Sequence, residues 1–71
     1  MSMKHEFTNS SSIKHVDYFA DKNTMEIKFA SGDVYHYPDC HVSHYDNLKA
    51  AASPGKYFHS SIRNKLPGIK Q

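Results

Sequence analysis

The chain has 71 residues, a length that supports one domain with a thin hydrophobic core. Its formal net charge of +2 is a mild basic bias, which permits a nucleic-acid partner without requiring one. The mean hydropathy of -0.72 and the shortness of the apolar runs exclude a membrane-spanning protein, and an aromatic content of 13% argues against a disordered chain.

Cys40 is the single cysteine, so no disulfide can form within the chain. A lone cysteine is typical of proteins in a reducing compartment. The N-terminal residues are polar and do not have the apolar stretch of a signal peptide. We therefore expect a cytoplasmic protein.

The N-terminal segment, residues 1–11, shows no periodicity, and we predict that it is a flexible lead-in to a single domain over residues 12–66. Alternating apolar and polar residues then predict strands over residues 13–20, 24–29 and 34–37. Asn23 and Gly32 lie in the short links between these strands, where each can adopt a positive φ. Links this short predict an antiparallel meander.

Two helices are predicted after the strands. Asp39 is the predicted N-cap of a helix over residues 41–51, whose apolar side chains recur at helical spacing. A Ser-Pro-Gly break separates it from a second helix, predicted over residues 56–65. Residues 67–71 begin with Pro-Gly, and we predict that they form a frayed tail.

A sheet with one apolar face needs a cover, and the two helices can supply it. The sequence therefore predicts an α+β domain in which a three-stranded antiparallel meander is covered on one face by two C-terminal helices, in the order β-β-β-α-α. The predicted core is aromatic and aliphatic: Val16, Tyr18, Met25, Ile27, Phe29, Tyr35, Tyr37, Tyr45, Leu48, Phe58 and Ile62. The opposite face would be open to water and carry His15, Asp17, Phe19, Glu26, Lys28, Val34 and His36.

Tyr35 and Tyr37 share one face of the last predicted strand, and two interpretations are open for them. Exposed on a sheet, they would form a platform on which nucleobases stack. Covered by the helices, they would belong to the core. We favour the core, because an exposed platform would leave the helices nothing to pack on.

An ordered set of short motifs runs through most of the chain. These are Ser11-Ser12-Ile13, Val16 with Tyr18, Phe29-x-x-Gly32-x-x-Tyr35-x-Tyr37, Tyr45-x-x-Leu48, Ser53-x-Gly55-x-Tyr57-Phe58 and Ile62-Arg63. The set resembles the KTSC family, a small domain also found at the C-terminus of some lysyl-tRNA synthetases. The family has no established activity, and its attachment to a tRNA enzyme implies RNA binding only by analogy.

Three positions depart from the pattern of that family. Phe19 stands where an acidic residue is usual, Cys40-His41 replaces a Val-Pro pair, and Leu66 stands where an aromatic residue is usual. Phe19 therefore places an apolar ring on the predicted open face.

A histidine-rich stretch supplies the candidates for metal binding or cysteine chemistry: His36, Cys40, His41 and His44. Structural zinc sites show paired C-x-x-C or H-x-x-x-H spacing, which is lacking here. A nucleophilic cysteine needs a base and an orienting group, and no such third group is evident. We expect solvated or capping roles for these residues, no cofactor, and a protein that is not an enzyme.

The C-terminal part of the chain is the most asymmetric in charge, because no acidic residue follows Asp46. Its basic and aromatic residues predict a nucleic-acid-binding surface, more specifically one for RNA: Lys56, Tyr57, His59, Arg63 and Lys65. The competing interpretation is a solvated helix face whose cations complement the helix dipole.

The alternative function is that of a protein-interaction module, for example a phage or bacterial accessory protein. The protein would then be a monomer or would associate weakly with copies of itself. Edge strands offer unpaired backbone groups, and the predicted open face offers Phe19, Lys28, Val34 and His36.

Overall fold

The computed structural model describes residues 2–8, 10–63 and 65–71, and within these ranges it has five strands and three helical segments. The strands are β1 (Ser2–Glu6), β2 (Ile13–Phe19), β3 (Thr24–Phe29), β4 (Val34–Tyr37) and β5 (Ile69–Lys70). The helical segments are α1 (Val42–Ala50), α2 (Pro54–Tyr57) and a π-helix (Phe58–Arg63). The five strands pair antiparallel, each with the next in chain order. Among the described residues, no helix has the length and apolar character needed to span a bilayer.

The α+β class, the antiparallel sheet and the two C-terminal helices are confirmed, but the predicted count of three strands is wrong. Both additional strands come from the predicted lead-in and tail. β1 pairs with β2, with Met3 opposite Tyr18, and β5 pairs with β4. Their side chains stay mostly exposed, so backbone pairing holds them without any apolar alternation in the sequence. Met1 and Asn9 of the predicted lead-in lie outside the described residues.

The buried face of the sheet follows the predicted alternation. Val16 lies opposite Ile27, and Tyr18 lies opposite Met25, which in turn pairs with Tyr37. The core also contains residues that were not predicted: Phe7, Ile13 and Cys40. Phe29 and Tyr35, both predicted as core, are only half-buried, because they lie at an end of the sheet where a pocket opens.

The turns follow the predicted chemistry except before α1. Asn23 has φ 49° and Gly32 has φ 99°, both positive as predicted. Asp39 is not the N-cap of α1, because it adopts φ 57° in the turn that leaves the sheet. The helix begins later, and the side chain of His41 accepts the backbone N–H of Ser43 at 3.1 Å.

A buried hydrogen bond joins the sheet to this turn. The hydroxyl of Tyr18 donates to the backbone oxygen of Cys40 at 2.8 Å, and the Cys40 N–H donates to the backbone oxygen of Asn23 at 2.6 Å. The chain is thereby fixed where it crosses from β4 to α1.

The second predicted helix is not one continuous α-helix. It begins as the four-residue α2 and continues as a π-helix, in which backbone hydrogen bonds span five residues instead of four. The wider turn keeps Phe58 and Ile62 buried, while His59 and Arg63 lie one turn apart on the outer side. Asn64, within the range predicted for this helix, lies outside the described residues.

Gly68 allows the C-terminal segment to return across the sheet. A Cβ atom at this position would lie 2.5 Å from Cε1 of Tyr37, closer than any side chain can approach. The backbone therefore passes against the edge of the Tyr37 ring on its way to β5.

Candidate functional site

A pocket of about 440 Å³ lies where the start of β2, the β3–β4 turn and the π-helix meet. Its walls are ring side chains: Phe29, Tyr35, Tyr37, Phe58 and His59. Its polar lining comes from Ser11, Ser12, Ser31, Asp33 and Arg63. A concave apolar site with a few polar groups is the usual form of a small-ligand site.

Strand alternation brings the rings together. Phe29 ends β3, and Tyr35 and Tyr37 are two residues apart on β4, so all three point to the face that the helices cover. The Phe29 ring meets Tyr35 edge-on at 5.5 Å between centroids and Phe58 at 5.1 Å. Such contacts contribute about 0.5–1.5 kcal/mol each beyond burial, so the wall of the pocket is preformed.

The two tyrosines of β4 have different environments. Tyr37 is 2% exposed and belongs to the core as predicted. Tyr35 is half-buried and lines the pocket, with its ring centroid 6.5 Å from that of Tyr37 in a stacked arrangement. Tyr35 is therefore accessible to a stacking ligand, whereas Tyr37 is not.

Arg63 gives the pocket a cation. It is exposed, and its Nη1 lies 3.4 Å from Nδ1 of His59. Burial raises the pKa of the Tyr37 hydroxyl and the neighbouring Tyr35 raises it further, whereas the positive charge of Arg63 lowers it. Within the part of the chain that the structure describes, no ion pair joins Arg63 to a carboxylate.

Asp33, which was not among the predicted site residues, gives the same pocket a carboxylate. Its backbone oxygen accepts the N–H of Phe29 at 2.8 Å and closes the β3–β4 turn. Its side chain accepts the hydroxyl of Ser31 at 3.3 Å and lies 3.6 Å from Nζ of Lys70. The signal in the sequence was its place directly before the aromatic strand.

Only some of the predicted nucleic-acid-binding residues line the pocket. Arg63 and His59 line the pocket. Tyr57 faces α1 instead, where its hydroxyl accepts Nδ2 of Asn47 at 3.0 Å and lies 3.3 Å from Nδ1 of His44. Two lysines of the set are exposed but do not line the pocket: Lys56 and Lys65.

The residues of the alternative protein-interaction surface lie on the open face, yet its two apolar members are far apart. Phe19 pairs with Thr24, at the start of β3, and Val34 pairs with Lys28 near its end. Four residues of strand separate these positions by about 13 Å. The structure therefore does not bring Phe19 and Val34 together into one apolar spot.

Charged side chains occupy the open face between them. The carboxylate of Glu26 lies 3.4 Å from Nδ1 of His36, and that of Asp17 lies 3.7 Å from Nε2 of His15. Lys28 lies opposite His15 on the neighbouring strand and is half-buried. This face is polar across its middle.

The four candidate metal ligands have different partners and do not converge on one site. His36 pairs with Glu26, His41 caps α1, and His44 lies beside Tyr57, as given above. Cys40 is fully buried. Among residues 2–8, 10–63 and 65–71, no three His, Cys, Asp or Glu side chains are placed to hold a metal ion together.

Cys40 is also a poor nucleophile. Burial raises the pKa of its thiol from 9.0 to about 11, so the thiolate is almost unpopulated near neutral pH. The Sγ atom lies 3.8 Å from the backbone oxygen of His41, which gives the thiol a weak acceptor. Its surroundings are those of a structural cysteine.

Comparisons with known proteins agree with the fold. The family model of the KTSC domain matches residues 9–65, a range that includes every residue of the pocket. The crystal structure of a KTSC domain protein from Yersinia pestis is 25% identical, with a TM-score of 0.89 over 100% of this chain and 99% of that one. A search of curated proteins found no match. The extent of the family match shows that this chain belongs to the KTSC domain family.

Proposed function

We propose that this protein is a non-enzymatic module that binds single-stranded RNA, with one unpaired base in the pocket and a neighbouring phosphate on Arg63. The observation that carries the proposal is the pocket itself, in which partly exposed rings and a guanidinium line the same cavity of about 440 Å³. A cytoplasmic location, expected from the lone cysteine, belongs to the same proposal.

The rings support base binding. Every nucleobase has a π-face, and sequence-specific or general RNA binders stack unpaired bases on aromatic side chains. Tyr35 and Phe29 are only half-buried, so their rings are accessible from the cavity. The volume also falls within the range of about 300–1,000 Å³ that small-molecule sites occupy.

The charges support phosphate binding. Arginine presents a planar fork of donors that fits a phosphate, and Arg63 lies at the pocket with no carboxylate partner among the described residues. From Pro54 onward the sequence contains four basic residues and no acidic one: Lys56, Arg63, Lys65 and Lys70. The C-terminal part of the chain is therefore basic, which favours a polyanionic ligand.

Binding is favoured over catalysis because the one cysteine of the chain is buried and protonated. Cys40 is buried with a pKa raised to about 11, and its side chain does not line the pocket.

The protein-interaction alternative receives less support from the geometry. Its apolar residues, Phe19 and Val34, are separated by the charged middle of the open face. A docking surface usually has a contiguous apolar centre with a polar rim, which is the reverse of this arrangement.

Fluorescence anisotropy with a labelled single-stranded RNA of about eight nucleotides tests the proposal. We expect micromolar binding at about 50 mM salt, with log affinity falling linearly against log salt. Arg63→Gln should weaken binding about tenfold, the expected loss of a charge-assisted phosphate contact. Lys56→Gln removes the same charge from an exposed position outside the pocket and is the matched control. No binding at tens of micromolar protein would contradict the proposal.

A further inference from the structure

We infer that the pocket selects guanine, with the carboxylate of Asp33 accepting the N1–H and the 2-amino group of the base. The inference rests on the proposed function, because it names which unpaired base the aromatic walls hold.

The position of Asp33 makes it a reader of a stacked base. It lies opposite Phe29 across the β3–β4 turn and two residues before Tyr35, so it is on the pocket side of the sheet. A base that stacks on these rings lies parallel to them, and its hydrogen-bonding edge points outward from the stack. That edge can therefore contact a side chain at the rim of the pocket, where Asp33 lies.

The carboxylate is held in place without being saturated. Ser31 donates to Oδ2 at 3.3 Å, and Nζ of Lys70 lies 3.6 Å from Oδ1. An ionised carboxylate has about four lone-pair sites, so two partners leave about two free. The side chain of Asp33 is 46% exposed, which leaves room for a ligand at those sites.

The chemistry of a carboxylate distinguishes the four bases. An ionised carboxylate only accepts hydrogen bonds, and guanine is the one base whose Watson–Crick edge presents two adjacent donors. Adenine and cytosine each place an acceptor beside a single donor, and uracil places its donor between two acceptors. Each of these would set an acceptor against the carboxylate of Asp33, which disfavours binding.

The test compares wild-type protein on short labelled RNAs that differ only in the central base of a uridine tract. The probes carry guanine, adenine, cytosine, uracil or hypoxanthine at that position. We expect guanine to bind about five- to hundredfold more tightly than uracil, the range for a bidentate base contact. Hypoxanthine lacks the 2-amino group and should fall between the two.

Asp33→Asn provides the second arm. It keeps the shape and the backbone of the turn but replaces an acceptor by a donor, so the guanine preference should shrink to within about twofold. Asp46→Asn removes the same charge from an exposed position on α1 outside the pocket, and should leave the preference intact.

The outcomes separate this inference from the proposed function. Equal binding of all five probes overturns guanine selection and leaves RNA binding standing. A guanine preference that survives in Asp33→Asn, or a hypoxanthine probe that equals guanine, also overturns it. No binding of any probe overturns both. The hypoxanthine comparison uses wild-type protein, so it decides the matter even if Asp33→Asn fails to fold.

Discussion

Tyr18 and Tyr35 point to the same face of the sheet, yet they lie in regions of opposite character. Tyr18 is 1% exposed, and its ring lies 5.8 Å from that of Tyr45 while its hydroxyl binds the backbone of Cys40. We call this region, Tyr18 with Cys40 and Tyr45, the closed end. Tyr35 lies with Phe29 at the pocket, which we call the open end.

The difference between the two ends follows from how far each helical segment reaches. α1 packs on β2 and covers the closed end, whereas the π-helix covers only part of the open end and leaves Phe29 half-buried. The same residue type therefore stabilises the fold at one end and is available to a ligand at the other. Changes at the closed end should reduce stability, and changes at the open end should reduce binding.

The largest effect is expected for Leu48→Ala. Leu48 is fully buried on α1, and truncation of a buried leucine costs about 2–5 kcal/mol through lost burial and the cavity left behind. A domain of this size has little stability to lose, so the variant should be largely unfolded at room temperature. Urea denaturation followed by circular dichroism measures it. Ile69→Ala, at an exposed position, should change stability by less than about 0.5 kcal/mol.

High pH should also destabilise the closed end. The pKa of Cys40 is raised from 9.0 to about 11 by burial, so the folded state keeps a proton that the unfolded state loses. Stability is fully present below pH 9 and falls as pH rises towards 11, by roughly 2–3 kcal/mol. Burial raises the pKa of Tyr18 and of Tyr37 as well, which adds to the loss above pH 10.

Urea midpoints at pH 8 and at higher pH measure this loss. Reaction of the native thiol with a disulfide reagent is an independent check. We expect Cys40 to be unreactive at pH 8 in folded protein and reactive in denaturant, because burial keeps it protonated and inaccessible. A thiol that reacts rapidly in the native state would contradict the burial.

Tyr18→Phe should have an intermediate effect. It removes the hydroxyl that donates to Cys40 at 2.8 Å and leaves a buried backbone oxygen without that donor, at a cost of about 1–3 kcal/mol. Tyr57→Phe removes a hydroxyl that bonds at the exposed side chain of Asn47, and should change stability by less than about 0.5 kcal/mol. Equal losses of stability in the two variants would contradict the burial of the hydrogen bond between Tyr18 and Cys40.

The smallest effect on stability, with a clear effect on binding, is expected for Tyr35→Leu. Leucine keeps an apolar side chain in a half-buried position and loses mainly the edge contact with the Phe29 ring, so stability should fall by less than about 1.5 kcal/mol. Loss of the ring should weaken RNA binding about tenfold, since stacking on an aromatic side chain contributes about 1–3 kcal/mol per base. Tyr57→Leu, at a tyrosine that does not line the pocket, is the matched control.

The sequence predicted the inner part of the sheet better than its edges. β2, β3 and β4 alternate apolar and polar residues because each has one buried face. β1 and β5 are held by backbone pairing and keep most side chains exposed, so no periodicity marked them. Asp39 looked like an N-cap because its residue type suits both caps and left-handed turns, and the fold uses it for the turn.

The candidate site was harder to predict, because it depends on where two elements meet. Arg63 and His59 were identified from charge and residue type, but nothing in the sequence showed that these two line the pocket while Lys56 does not. Asp33 was missed because its place before the aromatic strand does not by itself show that the β3–β4 turn faces the helices. The half-burial of Tyr35 likewise depends on how far the π-helix extends over it.

Backbone amide chemical shifts, recorded while unlabelled uridine-tract RNA with one central guanine is added to ¹⁵N-labelled protein, test most directly whether the open end is the binding site. We predict concentration-dependent shifts at residues that surround the pocket, including Ser31, Asp33, Tyr35 and Arg63, with little change at His15 and Asp17 on the open face. Shifts confined to the open face, or no shifts at saturating RNA, would contradict RNA binding in the pocket.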